Sequence, residues 1–273
     1  MLKTESLVVL AGLAALLPAH AWEGGLLKSE LKPATLAAFD AYMRAAEVRL
    51  RYDERGVFLW VDGSPERRRQ ALEGKALAAP WTAKGEIAVP DGLIHDWVGA
   101  VFIPGATLEK TILLAENYDN NKNVYKPEVA DSKLLSRNGD DFQVFLRLLK
   151  KKILTVTLNT TYDVRYVRVA PNRWRADAYA TRIAEVANAG ERSEREMPPG
   201  KDHGFMWRLN SFWRYEERDG GVFVECEAIS LTRDVPAGLG WLINPIIRDL
   251  PRDSLVNLLN ATRQALVGRP AGR

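Results

Sequence analysis

One cysteine and three histidines in 273 residues leave little material for several kinds of chemistry. The lone Cys226 cannot close an internal disulfide, and its place in an apolar, strand-like stretch reads as a small buried hydrophobe rather than a nucleophile. His20 falls in an apolar amino-terminal run, so only His95 and His203 remain, far apart in sequence. A His/Cys metal site is therefore not expected, and no cofactor is expected either. An excess of one charge is also missing: 38 Lys and Arg against 35 Asp and Glu, the basic residues scattered among the acids, give nothing that demands nucleic acid. No nucleophile elbow, zinc-ligand spacing or Gly-rich phosphate loop occurs, and "AGLGW" at 237–241 follows no strand of the kind a dinucleotide site needs. The Arg67–Arg69 run reads as the solvated face of a helix. No period of 20 to 50 residues repeats.

What is present begins with a targeting pattern. Lys3 supplies a positive start, "LVVLAGLAALLP" has the length of a signal-peptide core, and Ala19-His20-Ala21 fits the small-x-small cleavage rule. Residues 1–21 are read as a removed export signal, which places the protein in a periplasm or outside the cell, and no cysteine follows the run to carry a lipid anchor. Residues 22–83 form an α/β extension. Leu36, Phe39, Tyr42, Met43 and Ala46 recur at helical spacing; "VFLWVDG" suggests a short strand; "SPERRRQAL" suggests a helix with Ser64 as N-cap and Pro65 in its first turn.

From about residue 84 the pattern turns to β. "LIHDWVGAVFI" is a long strand, "ATLEKTILLAENYDNN" a helix and loop, and six strands follow, separated by turn signals at Asn138-Gly139, Pro171-Asn172 and Asp219-Gly220. Turns this short cannot make parallel crossovers, so the sheet is antiparallel. The last segment is an amphipathic helix with Asp249 as N-cap, Pro251 in the first turn and Gly268 past the end. Leu255, Leu258, Leu259, Thr262 and Leu266 line its inward side.

If Asp219-Gly220 is a two-residue hairpin loop, Arg214 lies opposite Glu225 and Phe212 opposite Glu227. Arg208 and Met206 share their face; Trp207, Trp213, Tyr215 and Cys226 share the other. Two readings stand: the Arg/Glu face is solvent and the Trp/Cys face core, or the ion pairs line an internal cavity, where burial would make the pairing obligatory.

The stretch "FWRYEERDGGVFVECEAISLTRDVPAGLGWLINPIIRDLPRDSLVNLLNATRQAL" resembles the terminal hairpin, loop and helix of the START-like helix-grip superfamily. That superfamily includes steroidogenic-acute-regulatory-related lipid transfer domains, plant pathogenesis-related allergens, and bacterial polyketide cyclase-like and ribosome-associated toxin-like proteins. The resemblance spans residues 84–268, leaves 269–273 as a tail, and implies an α+β fold: a curved antiparallel seven-stranded sheet wrapped around a C-terminal helix. It also implies a cavity for a hydrophobic or amphipathic molecule such as a lipid, fatty acid, sterol or polyaromatic compound. Its wall is expected to draw on Trp97, Arg208, Phe212, Arg214, Glu225, Glu227, Leu255 and Leu259, with Trp241, Ile243, Ile246 and Ile247 as a gate open to transient membrane contact. Binding without catalysis is the favoured expectation. The alternatives are a cyclase or dehydratase using His95, Tyr179 or a buried carboxylate, and an interaction protein with a filled core.

Overall fold

The computed structural model describes residues 30–53, 56–82, 85–151, 155–234 and 240–267, with the backbone alone for 52, 53, 151 and 240–249. The export signal, the tail and the side chains of Trp241, Ile243, Ile246 and Ile247 lie outside the described residues.

Helix α1 (Pro33–Asp53) opens the chain, followed by a 3-10 turn (Trp60–Gly63), helix α2 (Pro65–Leu72), and strands β1 (Leu77–Pro80), β2 (Glu86–Val89) and β3 (Gly92–Pro104). Helices α3 (Leu108–Glu116) and α4 (Asn121–Val124) lead to β4 (Val129–Asn138), β5 (Asp141–Lys151), β6 (Thr155–Ala170), β7 (Arg173–Ala187), the short β8 (Arg195–Glu196), β9 (Arg208–Arg218), β10 (Gly221–Arg233) and helix α5 (Gly240–Val267). The seven long strands form one antiparallel sheet in the order β3-β10-β9-β7-β6-β5-β4, to which β1, β2 and β8 add short pairings. This is the α+β, helix-grip arrangement that the sequence resemblance implied.

Two local expectations are corrected, and one strand appears that the sequence did not suggest. "VFLWVDG" is no strand: Trp60–Gly63 make a 3-10 turn, and the apolar residues plug inward as a cluster, with Phe58, Leu59 and Val61 fully buried. Leu77–Pro80 is a strand although it is rich in Ala and ends in Pro; at the sheet edge a proline forfeits no ladder bond. The last helix does not start at Asp249 but runs unbroken from Gly240 through Pro251. A proline there removes one backbone bond of the ladder, a cost that packing against the sheet can absorb. The Ser64 cap is present, its Oγ accepting from Arg67 N–H at 3.4 Å.

The Asp219-Gly220 turn has φ of 55° and 76°, the left-handed pair that a two-residue hairpin demands. The register follows from it, with Arg214 opposite Glu225 and Phe212 opposite Glu227. Met206 and Trp207 precede β9 and do not share its alternation: Trp207 packs with Phe39 and Ile229, Met206 with Leu209 and Ile183.

Curvature brings distant parts of the sheet to one helix. Near one edge, Gly99 of β3 lies under α5 so closely that an added Cβ would stand 2.9 Å from the Leu255 side chain. From the other end of the sheet, Lys150 on β5 donates to Ser254 Oγ at 3.1 Å, and Glu128, just before β4, accepts from Asn257 Nδ2 at 2.9 Å. The face toward α5 is thus the concave one. Its opposite is covered by α1, which buries Phe39, Met43, Ala46 and Leu50 against Ile94, Phe212, Ile229 and Leu231.

Candidate functional site

The concave face carries two apolar clusters that meet at Leu146 and Leu209. In the first, Trp97, Val101, Ile103, Val222, Val224, Cys226 and Tyr215 pack beneath Leu255 and Leu259 of α5 and are buried. The Tyr118 and Tyr166 hydroxyls meet inside it at 3.0 Å, and burial raises both phenols above their usual range.

The second cluster lies on β5, β6, β7 and the start of β9. Val129, Leu148 and Leu158 are buried, but Leu146, Val156, Ile183, Met206 and Leu209 around them stay partly exposed. The β5 row runs Phe142, Val144, Leu146, Leu148 and ends in Lys150. Tyr125 Oη, 3.3 Å from Thr262 Oγ1, links this cluster to α5. Apolar surface that is turned inward and still partly accessible is what a site for a greasy guest requires.

The expected site residues divide between the two faces. Trp97, Leu255 and Leu259 are on the concave side, within the first cluster. Arg208, Phe212, Arg214, Glu225 and Glu227 are on the convex side, under the amino-terminal segment. The reading that put the ion pairs in an internal cavity beneath the C-terminal helix is thereby corrected, and so is the reading that left them in solvent, because α1 and the Phe58–Val61 plug cover them. Arg214 donates from Nη1 to Phe58 O at 2.9 Å and from Nη2 to Leu50 O at 3.0 Å, with Glu225 Oε1 at 3.8 Å. Arg49 of α1 forks onto both carboxylate oxygens of Glu227 and stacks 3.7 Å above the Trp81 ring. Tyr42 Oη donates to Asp96 Oδ2 at 2.6 Å. Burial, with Glu227 nearby, lifts Asp96 to about 7, and burial lifts Glu225 to about 7. This charged layer fastens the extension to the sheet.

The residues considered for catalysis are separated as well. Tyr179 faces the convex side and donates to Glu47 at 3.0 Å. His95 is buried near the start of β3 with Nε2 3.1 Å from Thr232 Oγ1, and burial depresses it to about 4, so it is a neutral imidazole of low basicity at neutral pH. Among the described residues no group of three or more His, Cys, Asp or Glu is placed to hold a metal ion, and no helix is long and apolar enough to cross a membrane.

Sequence reasoning missed Leu146, Val156, Ile183, Leu209 and Lys150 as a group. The signal was present: the period-2 row in "DDFQVFLRLLKK" continues through Lys150, a charge on the apolar parity.

No protein-family model and no curated protein matches the chain. Solved structures of similar architecture include a protein of Thermus thermophilus, at 14% identity and a TM-score of 0.45 over 62% of this chain and 95% of that one. The STAR-related lipid transfer protein of Xanthomonas axonopodis gives 17% identity and a TM-score of 0.43 over 69% and 99%. The Zhui aromatase/cyclase of a Streptomyces species gives 12% and 0.42 over 66% and 99%.

Proposed function

We propose that this protein binds a hydrophobic or amphipathic molecule on the concave face and holds it without transforming it. The observation that supports this reading is the second cluster, where Leu146, Val156, Ile183, Met206 and Leu209 face inward but remain partly exposed. A guest of roughly ten methylenes, at about 0.8 kcal/mol each, gains about 8 kcal/mol gross, which corresponds to micromolar binding before ordering costs. Such affinity suits carriage or sensing. The test obstructs the inward apolar surface: Ile183→Trp is expected to weaken a fluorescent fatty-acid probe at least about tenfold while the thermal melt stays close to wild type. A folded variant that binds the probe as tightly as wild type would remove that surface from consideration.

Export is part of the same proposal and rests on the Lys3, "LVVLAGLAALLP" and Ala19-His20-Ala21 pattern. The intact mass of the protein recovered after expression in a secreting bacterial host is expected to match a chain beginning at Trp22; a full-length mass there would refute cleavage.

A further inference from the structure

We propose that the guest carries a carboxylate and that the Lys150 amine is its anchor, an inference that rests on the hydrophobic-guest reading and specifies its head group. Lys150 ends the concave row of β5, pairs across to Val156, and follows Leu148 on the same parity. Its amine turns toward the helix, donating to Ser254 Oγ at 3.1 Å. An ammonium has three donors, and the serine hydroxyl accepts one. Among the described residues no carboxylate oxygen lies within 4 Å of Nζ. The acid whose field reaches it is Glu128, and one oxygen of that carboxylate is engaged by Asn257 Nδ2 at 2.9 Å.

A lysine in such a place ordinarily runs its stem along apolar surface and sends the amine to water. Here the amine is held in the seam between sheet and helix, and burial lowers its pKa below the usual 10.5. A carboxylate at this point supplies the missing opposite charge, while its alkyl chain lies along Val156, Leu158, Ile183 and Leu209. The partners present are a single ammonium and a hydroxyl, one positive charge, which a monoanionic carboxylate balances and a phosphate dianion exceeds.

The test pairs an acid with its neutral counterpart. Calorimetric titration of the folded protein with dodecanoate and with 1-dodecanol at pH 7 is expected to show the acid binding at least about tenfold tighter. Lys150→Met is expected to abolish that preference and to bind dodecanol as wild type does. Lys150→Gln, which keeps a donor without the charge, is expected to behave alike and serves if the methionine variant fails to fold. Equal affinities in wild type, or a preference that survives both substitutions, overturns the carboxylate anchor and leaves the hydrophobic-guest reading standing. Failure of both compounds to bind wild type overturns the hydrophobic-guest reading and the anchor with it.

Discussion

Arg214→Met is expected to lower folding stability by about 3–5 kcal/mol, read as a reduced urea midpoint with the slope unchanged. The guanidinium sits on the convex face with its donors on the carbonyls of Phe58 and Leu50, and Glu225 Oε1 at 3.8 Å supplies the counter-charge. Leu50 lies in the last turn of α1, where carbonyls lack an intrahelical partner and a cation is favoured. Methionine fills the volume but leaves two carbonyls and a buried carboxylate without it, and unmet buried groups account for most of the expected loss. The double variant Arg214→Met/Glu225→Gln is expected to lose less than the single one, since the stranded acid is gone. Because α5 and the proposed binding face are on the opposite side of the sheet, probe affinity per folded molecule is expected to be unchanged. A single variant within about 1 kcal/mol of wild type would show that the extension does not depend on Arg214 for its hold on the sheet.

These two faces were not equally legible in the sequence. Strand count, turns and the Arg214–Glu225 register could be read because a two-residue turn with positive φ leaves one pairing, and parity then assigns the side chains of β9 and β10 to a face, though not Met206 and Trp207 before β9. What covers a face was not legible. The α1 stripe of Phe39, Met43 and Ala46 announced a helix with something to bury, but nothing in its pattern says which of two half-polar sheet faces it meets. That choice is made by long-range partners such as Arg49 with Glu227, which are 178 residues apart. The start of α5 was hidden for a related reason. Asp249 followed by Pro251 is a sound local signal for a helix beginning, yet the chain keeps helical geometry for nine residues before it. Lys150 escaped notice because it opens a run of three lysines that reads as a solvated strand end. Only the sheet's curl, which brings that end back to Ser254, gives its amine an interior address.

The division of labour is physical. Charges on the convex face are paired by α1 and the Phe58–Val61 plug, so they specify where the extension docks. The concave face keeps partly accessible apolar side chains beside the inward Lys150 ammonium, and the proposed guest would be held there.

Folding stability is expected to fall as pH rises from about 4 to about 7. Asp96 is lifted from its usual 3.8 to about 7, by burial first and by Glu227 next, against the pull of Tyr42 and Arg49. Glu225 is lifted from 4.5 to about 7, by burial against the pull of Arg214 and the N–H groups of Trp60 and Val61. Between these limits the native state holds more protons than the unfolded chain. The stabilisation is therefore complete below the unfolded pKa and is lost as pH passes through the folded one. His95 acts in the opposite sense: its value drops from 6.5 to about 4, so its contribution grows as pH rises across that interval and offsets part of the decline. Comparison with Asp96→Asn isolates one carboxyl from this balance, since the amide keeps an acceptor for Tyr42 and never ionises. The variant's stability curve is expected to fall less steeply, by about 2–4 kcal/mol in total across the interval, measured by urea unfolding at half-unit pH steps. Parallel curves for the two proteins would mean that Asp96 is ionised in the fold well below neutrality, with Arg49 outweighing its burial.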